Sequence, residues 1–325
     1  MLKRHAHGVP NGARDAAPVW VLADPRAGTA AQALGIAERL AQPFHTVPLE
    51  WGGLARLPLF WPTAAGLAPG ARAALAPPWP RLAISAGRRS TPVSRWLRAR
   101  GVRTVHCMRP GFGAADFDLL VIGRHDAPRA AGNILPILGA THRLSPERLA
   151  AAREDWAELG ASAVPRVALL VGGPVRGAGM PPEDAARLVP RVLKRFPGAT
   201  ILATASRRTG APATEALAAA LSGVPHRLFR WGDAGPNPYM GFLAWADAVV
   251  VTGDSVSMLS EACATAAPVF VATREEGRHQ RLVESLYAAG AARPLRLAQR
   301  PFSRAPLDET GRVAAAIRSR GWLPD

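Results

Sequence analysis

The sequence predicts an α/β fold of two Rossmann-like domains facing a central cleft. Short apolar runs alternate with amphipathic segments along most of the chain. Each run leads into a loop bearing Gly, Ser, Thr or Arg, the order expected of right-handed strand–helix crossovers in a mostly parallel sheet. The alternation restarts near residue 160, and 325 residues suit two domains at ~100–200 residues each. One continuous doubly wound sheet is the alternative.

Residues 1–17 are polar, Gly/Pro-bearing and aperiodic, and read as a disordered tail. Residues 19–23 form the first strand, and 32–40 carry Ala33, Leu34, Ala37 and Leu40 at helical spacing. Residues 82–85 predict another strand with its helix at 92–100, and 102–108 and 119–122 add two more strands. A charged helix over 146–162 closes a first domain spanning 18–160. The apolar run 167–171 opens a second domain, 161–305, with helix 182–195, strand 200–204, helix 213–221 and strand 226–230 behind it. A short helix at 241–246, strand 248–251, helix 256–264 and strand 269–271 complete the repeat. Residues 306–325 hold a last helix, expected to pack back toward the first domain.

Forty Lys+Arg against 24 Asp+Glu leave a net charge of +16, and the lysines are Lys3 and Lys194 alone. Guanidinium offers a fixed fork of donors that suits phosphate and carboxylate. The charge therefore points to nucleic acid, an anionic membrane surface or a phosphorylated small substrate. The arginines are spread along the chain rather than gathered in a tail or one helix, so nucleic acid is not expected. No apolar run approaches the ~18 residues of a spanning helix. No apolar block follows the basic N-terminal residues, so a cytoplasmic chain is expected. Cys107 and Cys263 read as buried thiols. No pair of His, Cys or carboxylates has ligand spacing, so no metal site is expected. The absence of a P-loop, Gly-x-Gly-x-x-Gly and Gly-x-Ser-x-Gly disfavours an NTPase, an ordinary dinucleotide oxidoreductase and an α/β-hydrolase.

The chemistry is sought in the loops at strand ends. Thr252-Gly253-Asp254-Ser255 runs from a strand directly into a helix, whose unpaired N–H groups and the Ser255 and Ser257 hydroxyls can hold a phosphate. Glu261, two turns on, can take both hydroxyls of a ribose. Ser255 serves equally as an N-cap, and Glu261 as a solvated acid. Ser206-Arg207-Arg208-Thr209 and Gly87-Arg88-Arg89-Ser90 repeat an Arg-Arg-Ser/Thr element in the two halves, suited to phosphates. Gly172-Gly173 allows close backbone approach or makes a plain tight turn. Gly28 and Gln32 lie where a ligand can meet the first helix start, and Asp24 precedes them. His125-Asp126 pairs a base with a carboxylate, although adjacent residues on an extended loop point apart. Asn237-Pro238-Tyr239 caps or shapes the cleft, with Trp231 nearby. Residues 57–80, rich in Pro, Ala and Leu with Trp61 and Trp79, suit either a membrane interface or a core-facing loop.

These motifs, in this order, resemble the plant mitochondrial-fission proteins called ELONGATED MITOCHONDRIA and their bacterial relatives over roughly residues 18–320. Arg124 stands where the family pattern has an acid. The group resembles GT-B glycosyltransferases, which implies two Rossmann-like domains and a nucleotide held by the C-terminal one. The resemblance places Ser255 and Ser257 at the diphosphate, Glu261 on the ribose, and Arg207 or Arg208 on phosphate, with Gly172, Gly173, Ser206 and Asn237 on the same side. Gly28, Gln32, Arg88 and Arg89 fall on the acceptor side, with Asp24, His125 or Asp126 as catalytic base. It implies a metal-independent glycosyltransferase without a cofactor, its donor a nucleoside-diphosphate sugar and its acceptor an envelope or lipid-linked glycan, peripheral at the inner face of a membrane. The alternatives are a nucleotide-sugar epimerase and a non-catalytic adaptor with a vestigial cleft, since the plant members bring a dynamin-like protein to the mitochondrial surface.

Overall fold

The computed structural model describes residues 17–174, 179–273, 276–296 and 302–324. Residues 1–16, nearly all of the expected tail, lie outside the described residues. The chain divides into two compact units, one of residues 1–143 with 308–325 and one of residues 144–307.

The first unit runs β1 (Val19–Ala23), α1 (Ala27–Leu40), β2 (Phe44–Pro48), α2 (Pro69–Ala73), β3 (Leu82–Ala86), α3 (Thr91–Arg98), β4 (Arg103–Cys107), β5 (Leu119–Gly123) and β6 (Ile134–Ile137). Among the described residues its sheet has the order β2-β1-β3-β4-β5-β6, with every pairing parallel. Side chains alternate across it. Val19 and Val21 join Ala33, Ile36 and Leu40 of α1 on one face, while Trp20 and Leu22 join Leu67, Val93 and Leu97 on the other. Cys107 is a free, buried thiol, as is Cys263 in the second unit.

The second unit runs α4 (Pro146–Asp155), β7 (Arg166–Val171), α5 (Pro182–Arg195), β8 (Thr200–Ala205), α6 (Ala211–Leu221), β9 (His226–Phe229), α7 (Tyr239–Trp245), β10 (Ala248–Val251), α8 (Val256–Cys263), β11 (Val269–Val271), α9 (Gly277–Ala288) and β12 (Arg293–Pro294). Its parallel sheet has the order β12-β11-β10-β7-β8-β9, the Rossmann order with β7 as first strand. Val167, Leu169 and Val171 pack on α5 and α6 through Leu188, Val192, Leu217 and Leu221.

The division differs from the expected boundary at residue 160. The helix predicted over 146–162 is α4 followed by a 3₁₀ turn at Ala157–Ala161, and it belongs to the second unit. Its anchors are there: the Trp245 indole donates to the Arg153 carbonyl (3.1 Å), Arg153 donates to Ala244 O (3.0 Å), and the guanidinium lies 3.9 Å from the Trp245 ring. Ser145 caps α4, accepting from Arg148 N–H.

The last helix, α10 (Glu309–Arg318), is part of the first unit. Val313, Ala314 and Ile317 pack with α1 in the core. Leu138 N–H donates to the Glu309 carboxylate (2.9 Å), and His142 N–H to the Thr310 hydroxyl (3.0 Å). Asp308 caps the helix through Gly311 N–H and pairs with Arg39.

Of residues 57–80, the later part is core rather than surface. Leu67, Ala71 and Leu75 are buried, and Trp79 stacks edge-on against Trp20 and Trp96. A Cβ at Gly35 of α1 would overlap the His142 backbone carbonyl, which cannot yield as a side chain would. Gly35→Ala is therefore expected to destabilise by about 1–3 kcal/mol. Gly53→Ala, with nothing within 4 Å, should stay within about 0.5 kcal/mol; urea unfolding of the two variants checks the contrast.

Candidate functional site

In each sheet the strand order reverses once, and the loops at the carboxyl ends of the two strands there are where ligands sit in this architecture. In the second unit the reversal lies between β7 and β10. The loop after β7 begins Gly172-Gly173, and the one after β10 is Thr252-Gly253-Asp254-Ser255.

Thr252 ties them together. Its hydroxyl accepts from Gly172 N–H (2.8 Å) and donates to the Asp254 carboxylate (2.8 Å), while Gly253 N–H donates to Thr273 (2.8 Å). A side chain at Gly172 would overlap Asp254, and one at Gly173 would overlap the Arg208 backbone carbonyl, so both glycines are required by close approach. The neighbouring loop after β8 is held the same way. The buried Thr209 hydroxyl donates to Gly172 O (2.6 Å) and accepts from Ser206 N–H (2.9 Å). Arg207 on that turn is exposed, whereas Arg208 is partly buried beside Asp254. The two arginines thus diverge in environment. Burial raises the proton affinity of Asp254 above the usual carboxylate range, with the charges of Arg208 and His279 working against it.

Helix α8 begins at this corner. Ser255 is its N-cap, the hydroxyl accepting from Met258 N–H (3.4 Å). The N–H groups of Val256 and Ser257 have no partner among the described residues, and the Ser257 side chain is partly exposed. This end of the helix presents donors and positive potential. Glu261, one face further along α8, accepts from the Tyr239 hydroxyl (2.6 Å). Burial pushes its carboxyl up to about 7 against that hydrogen bond, and it drives the Tyr239 phenol well above its ordinary value. Asn237 is exposed, and its side-chain oxygen accepts from Tyr239 N–H (3.0 Å), which sets the start of α7. Trp231 is exposed.

In the first unit the reversal lies between β1 and β3. The helix start bearing Gly28 and Gln32 and the loop bearing Arg88 and Arg89 adjoin there, because Gly87, at φ +83°, lies against Thr29. Both arginines are exposed. Gln32 is buried and its backbone carbonyl accepts from Thr141. Asp24 is buried with both oxygens engaged, one by Arg26 N–H (2.9 Å) and one by the Trp51 indole (3.2 Å). His125 and Asp126 stand on a 3₁₀ turn rather than an extended loop. The turn brings the buried imidazole Nε2 to 3.8 Å from the Asp126 carboxylate. No cluster of metal-ligating side chains occurs among the described residues.

Thr209, Thr252 and Tyr239 escaped the site expectations from sequence. Their role is to bond across loops far apart in the chain, and the Asn-Pro-Tyr, Thr-Gly-Asp-Ser and Ser-Arg-Arg-Thr strings signalled only that those loops mattered.

Two Rossmann-like units of this topology define the GT-B class of fold. Three solved structures share it: UDP-GlcNAc 2-epimerase from Methanocaldococcus jannaschii (11% identity, TM-score 0.58, 94% of this chain and 99% of that one), the same organism's enzyme in complex with UDP-GlcNAc and UDP (12%, TM-score 0.54, 94% and 99%), and UDP-GlcNAc 2-epimerase from Neisseria meningitidis bound to UDP-GlcNAc (10%, TM-score 0.51, 93% and 98%). At such identities the likeness is one of fold alone. The sequence model described as mitochondrial fission ELM1 matches residues 27–321, and the chain belongs to that family. It is 28% identical to mitochondrial fission protein ELM1 of Arabidopsis thaliana over 75% of this chain, and spans 65% of that protein's length. It is 24% identical to an uncharacterized protein of Rickettsia prowazekii, covering 92% of this chain and 97% of that one.

A buried carboxyl whose affinity for protons rises on folding destabilises the folded state as it ionises. For Glu261 that destabilisation is absent near pH 4.5, grows as pH rises, and is complete above about 7. Glu261→Gln keeps an acceptor for Tyr239 but never ionises. It is expected to raise the melting temperature by a few degrees at about pH 8 and to leave it unchanged near pH 4.5; thermal unfolding at the two pH values checks this.

Proposed function

We propose that the second unit binds a nucleoside-diphosphate sugar at the β7/β10 corner and that the chain transfers the sugar, without a divalent cation, to an envelope or lipid-linked acceptor. The observation that carries the reading is the Glu261 carboxylate, held by the Tyr239 hydroxyl (2.6 Å) little more than one turn along α8 from the open Val256 and Ser257 N–H groups. Glu261 takes the ribose hydroxyls; the Val256 and Ser257 N–H groups and Ser257 hydroxyl take the diphosphate, with Arg208 at its side and Arg207 reaching from solvent. Gly172, Gly173 and Ser206 supply backbone close to the ligand, and Asn237 orients Tyr239. As the acceptor hydroxyl attacks the anomeric carbon, the bond to the diphosphate breaks and these donors stabilise the departing charge. The acceptor's proton goes to a base. His125 with Asp126 suits that role better than Asp24, whose oxygens are already engaged. Gly28, Gln32, Arg88 and Arg89 belong to the acceptor side, and a peripheral position at the inner face of a membrane suits a lipid-linked acceptor.

A second reading, a non-catalytic adaptor, draws support from family membership and from the engaged oxygens of Asp24. A nucleotide-sugar epimerase would use the same corner, and the shared fold supports considering it. Thermal shift in low-phosphate buffer with UDP-, GDP-, ADP- and CMP-sugars separates the classes. One of them should raise the melting temperature by a few degrees at 100 times its dissociation constant, about 2.7 kcal/mol of linkage. Arg208→Gln and Glu261→Ala should each weaken binding about tenfold or more. Failure of every nucleotide sugar to stabilise the chain favours the adaptor, and turnover of the donor to its epimer without acceptor favours the epimerase.

A further inference from the structure

The first unit contains a cavity of about 600 Å³. Its wall comes from the segment after β2, the start of α3 and the loop between β4 and β5, with Trp51, Leu59, Val93 and Phe112 giving it an apolar lining. Arg56, Arg88 and Arg89 also line it, and no acid does. Several other arginines of this unit reach carboxylates: Arg95 to Asp116, Arg98 and Arg103 to Asp118, and Arg143 to Glu38. The three at the cavity have no ion pair or hydrogen bond among the described residues. A cavity with three unneutralised guanidinium groups and apolar walls is complementary to an anion joined to an apolar body.

The rim says what kind of body. Leu54, Leu57, Phe60, Trp61 and Phe112 are each about half exposed and stand on the two loops that border the cavity. Scattered exposed apolar residues are ordinary, but five on the two loops that border one cavity mark a contact surface. The loops are also held in place. Gly52 N–H donates to Gly66 O (3.0 Å) and Thr63 N–H to Pro92 O (3.0 Å), Arg95 donates to Phe60 O (2.6 Å), and the Phe60 and Phe112 rings meet edge-on at 4.5 Å. The Trp51 wall is fixed by its bond to Asp24. The apolar side chains are therefore presented outward by a bonded framework.

We propose that this cavity and rim dock on a membrane and take the phosphate-ester head of a lipid. The guanidinium groups bind the phosphate, and Leu57, Trp61 and Phe112 enter the interfacial layer. A soluble phosphate would satisfy the arginines and leave the rim in water. The inference deepens the proposed function, on which it rests only in making that lipid the anchor of the acceptor; docking itself requires no nucleotide.

Flotation of the full chain, without nucleotide and at ~0.15 M salt, with vesicles of phosphatidylcholine alone or carrying about one fifth phosphatidic acid tests it. The chain should float with the phosphatidic acid vesicles. The double variant Trp61→Ser/Phe112→Ser leaves the charge unchanged and should lower partitioning about tenfold or more. Arg88→Gln/Arg89→Gln should do the same, while Arg187→Gln, on the exposed α5 pair with Asp184, should change it little. The altered residues are exposed, and the Phe60–Phe112 contact is one of several that hold the loops, so melting temperatures should stay within a few degrees of the wild type. No flotation of the wild type, an apolar variant that floats normally, or equal losses from Arg187→Gln and from the cavity arginines would overturn the proposal. So would a dimer that the apolar variant dissociates in sedimentation, which would assign the rim to a second copy. Nucleotide-sugar shifts measured without vesicles report on the second unit separately, so either proposal can fall alone.

Discussion

A parallel sheet has to be covered on both faces, because its crossover helices lie on both and its strand interiors see no water. In both units that requirement makes the strands apolar and leaves the strand ends as the places where polar groups can stand. It also explains the path of α10. Val19, Val21 and α1 need a second helix on their side of the sheet, and Val313, Ala314 and Ile317 provide it. The reversal of strand order then opens room beside β1 in one unit and β7 in the other, where loops can hold a ligand.

The carboxylates sort themselves by which end of the strands they occupy. Asp118 and Asp247 precede β5 and β10. Burial works against their ionisation, but Thr104 with Arg103 and Arg98 holds Asp118 below its ordinary range, and Arg166 does the same for Asp247. These are structural acids, bonded to the strand beside them. Asp254 and Glu261 follow β10, and burial wins at both. Acids whose proton affinity burial raises lower folding stability as they ionise, and such groups gather at functional sites. The arginines divide in the same way. Many are placed on carboxylates or aromatic faces, as Arg100 is at 3.4 Å from the Trp96 ring, so the net charge is not one field. Arg304 donates to the Ala262, Cys263 and Ala267 carbonyls behind α8.

Membership of the ELM1 family and the GT-B fold are separate statements. The fold is shared with UDP-GlcNAc 2-epimerases, and fold alone assigns no reaction. What this chain's residues add is local: a bonded corner at β7/β10 with open N–H groups, and an arginine-lined cavity under an apolar rim.

The strands β1, β3, β5, β7, β8 and β10 were legible in the sequence because burial on both faces writes a string that is apolar throughout or interrupted only by small hydroxyl residues such as Ser85, Thr200 and Thr204. The N-cap at Ser255 was legible because a capping serine sits next to the helix it starts. Edge strand β2, with His45 and Thr46 half-buried, and β6, with Pro136 in its middle, carry no such string and were missed. The 12-residue α9 was missed as well. The sequence by itself therefore determined which segments are buried and which loops follow them. Only the tertiary structure decided that α4 joins the second unit, that Tyr239 meets Glu261, that Asp24 is occupied by Trp51, and that Trp79 is core while Trp61 is surface. The reason is physical: burial leaves a periodic mark in neighbouring residues, whereas the choice of partner depends on segments brought together from far along the chain.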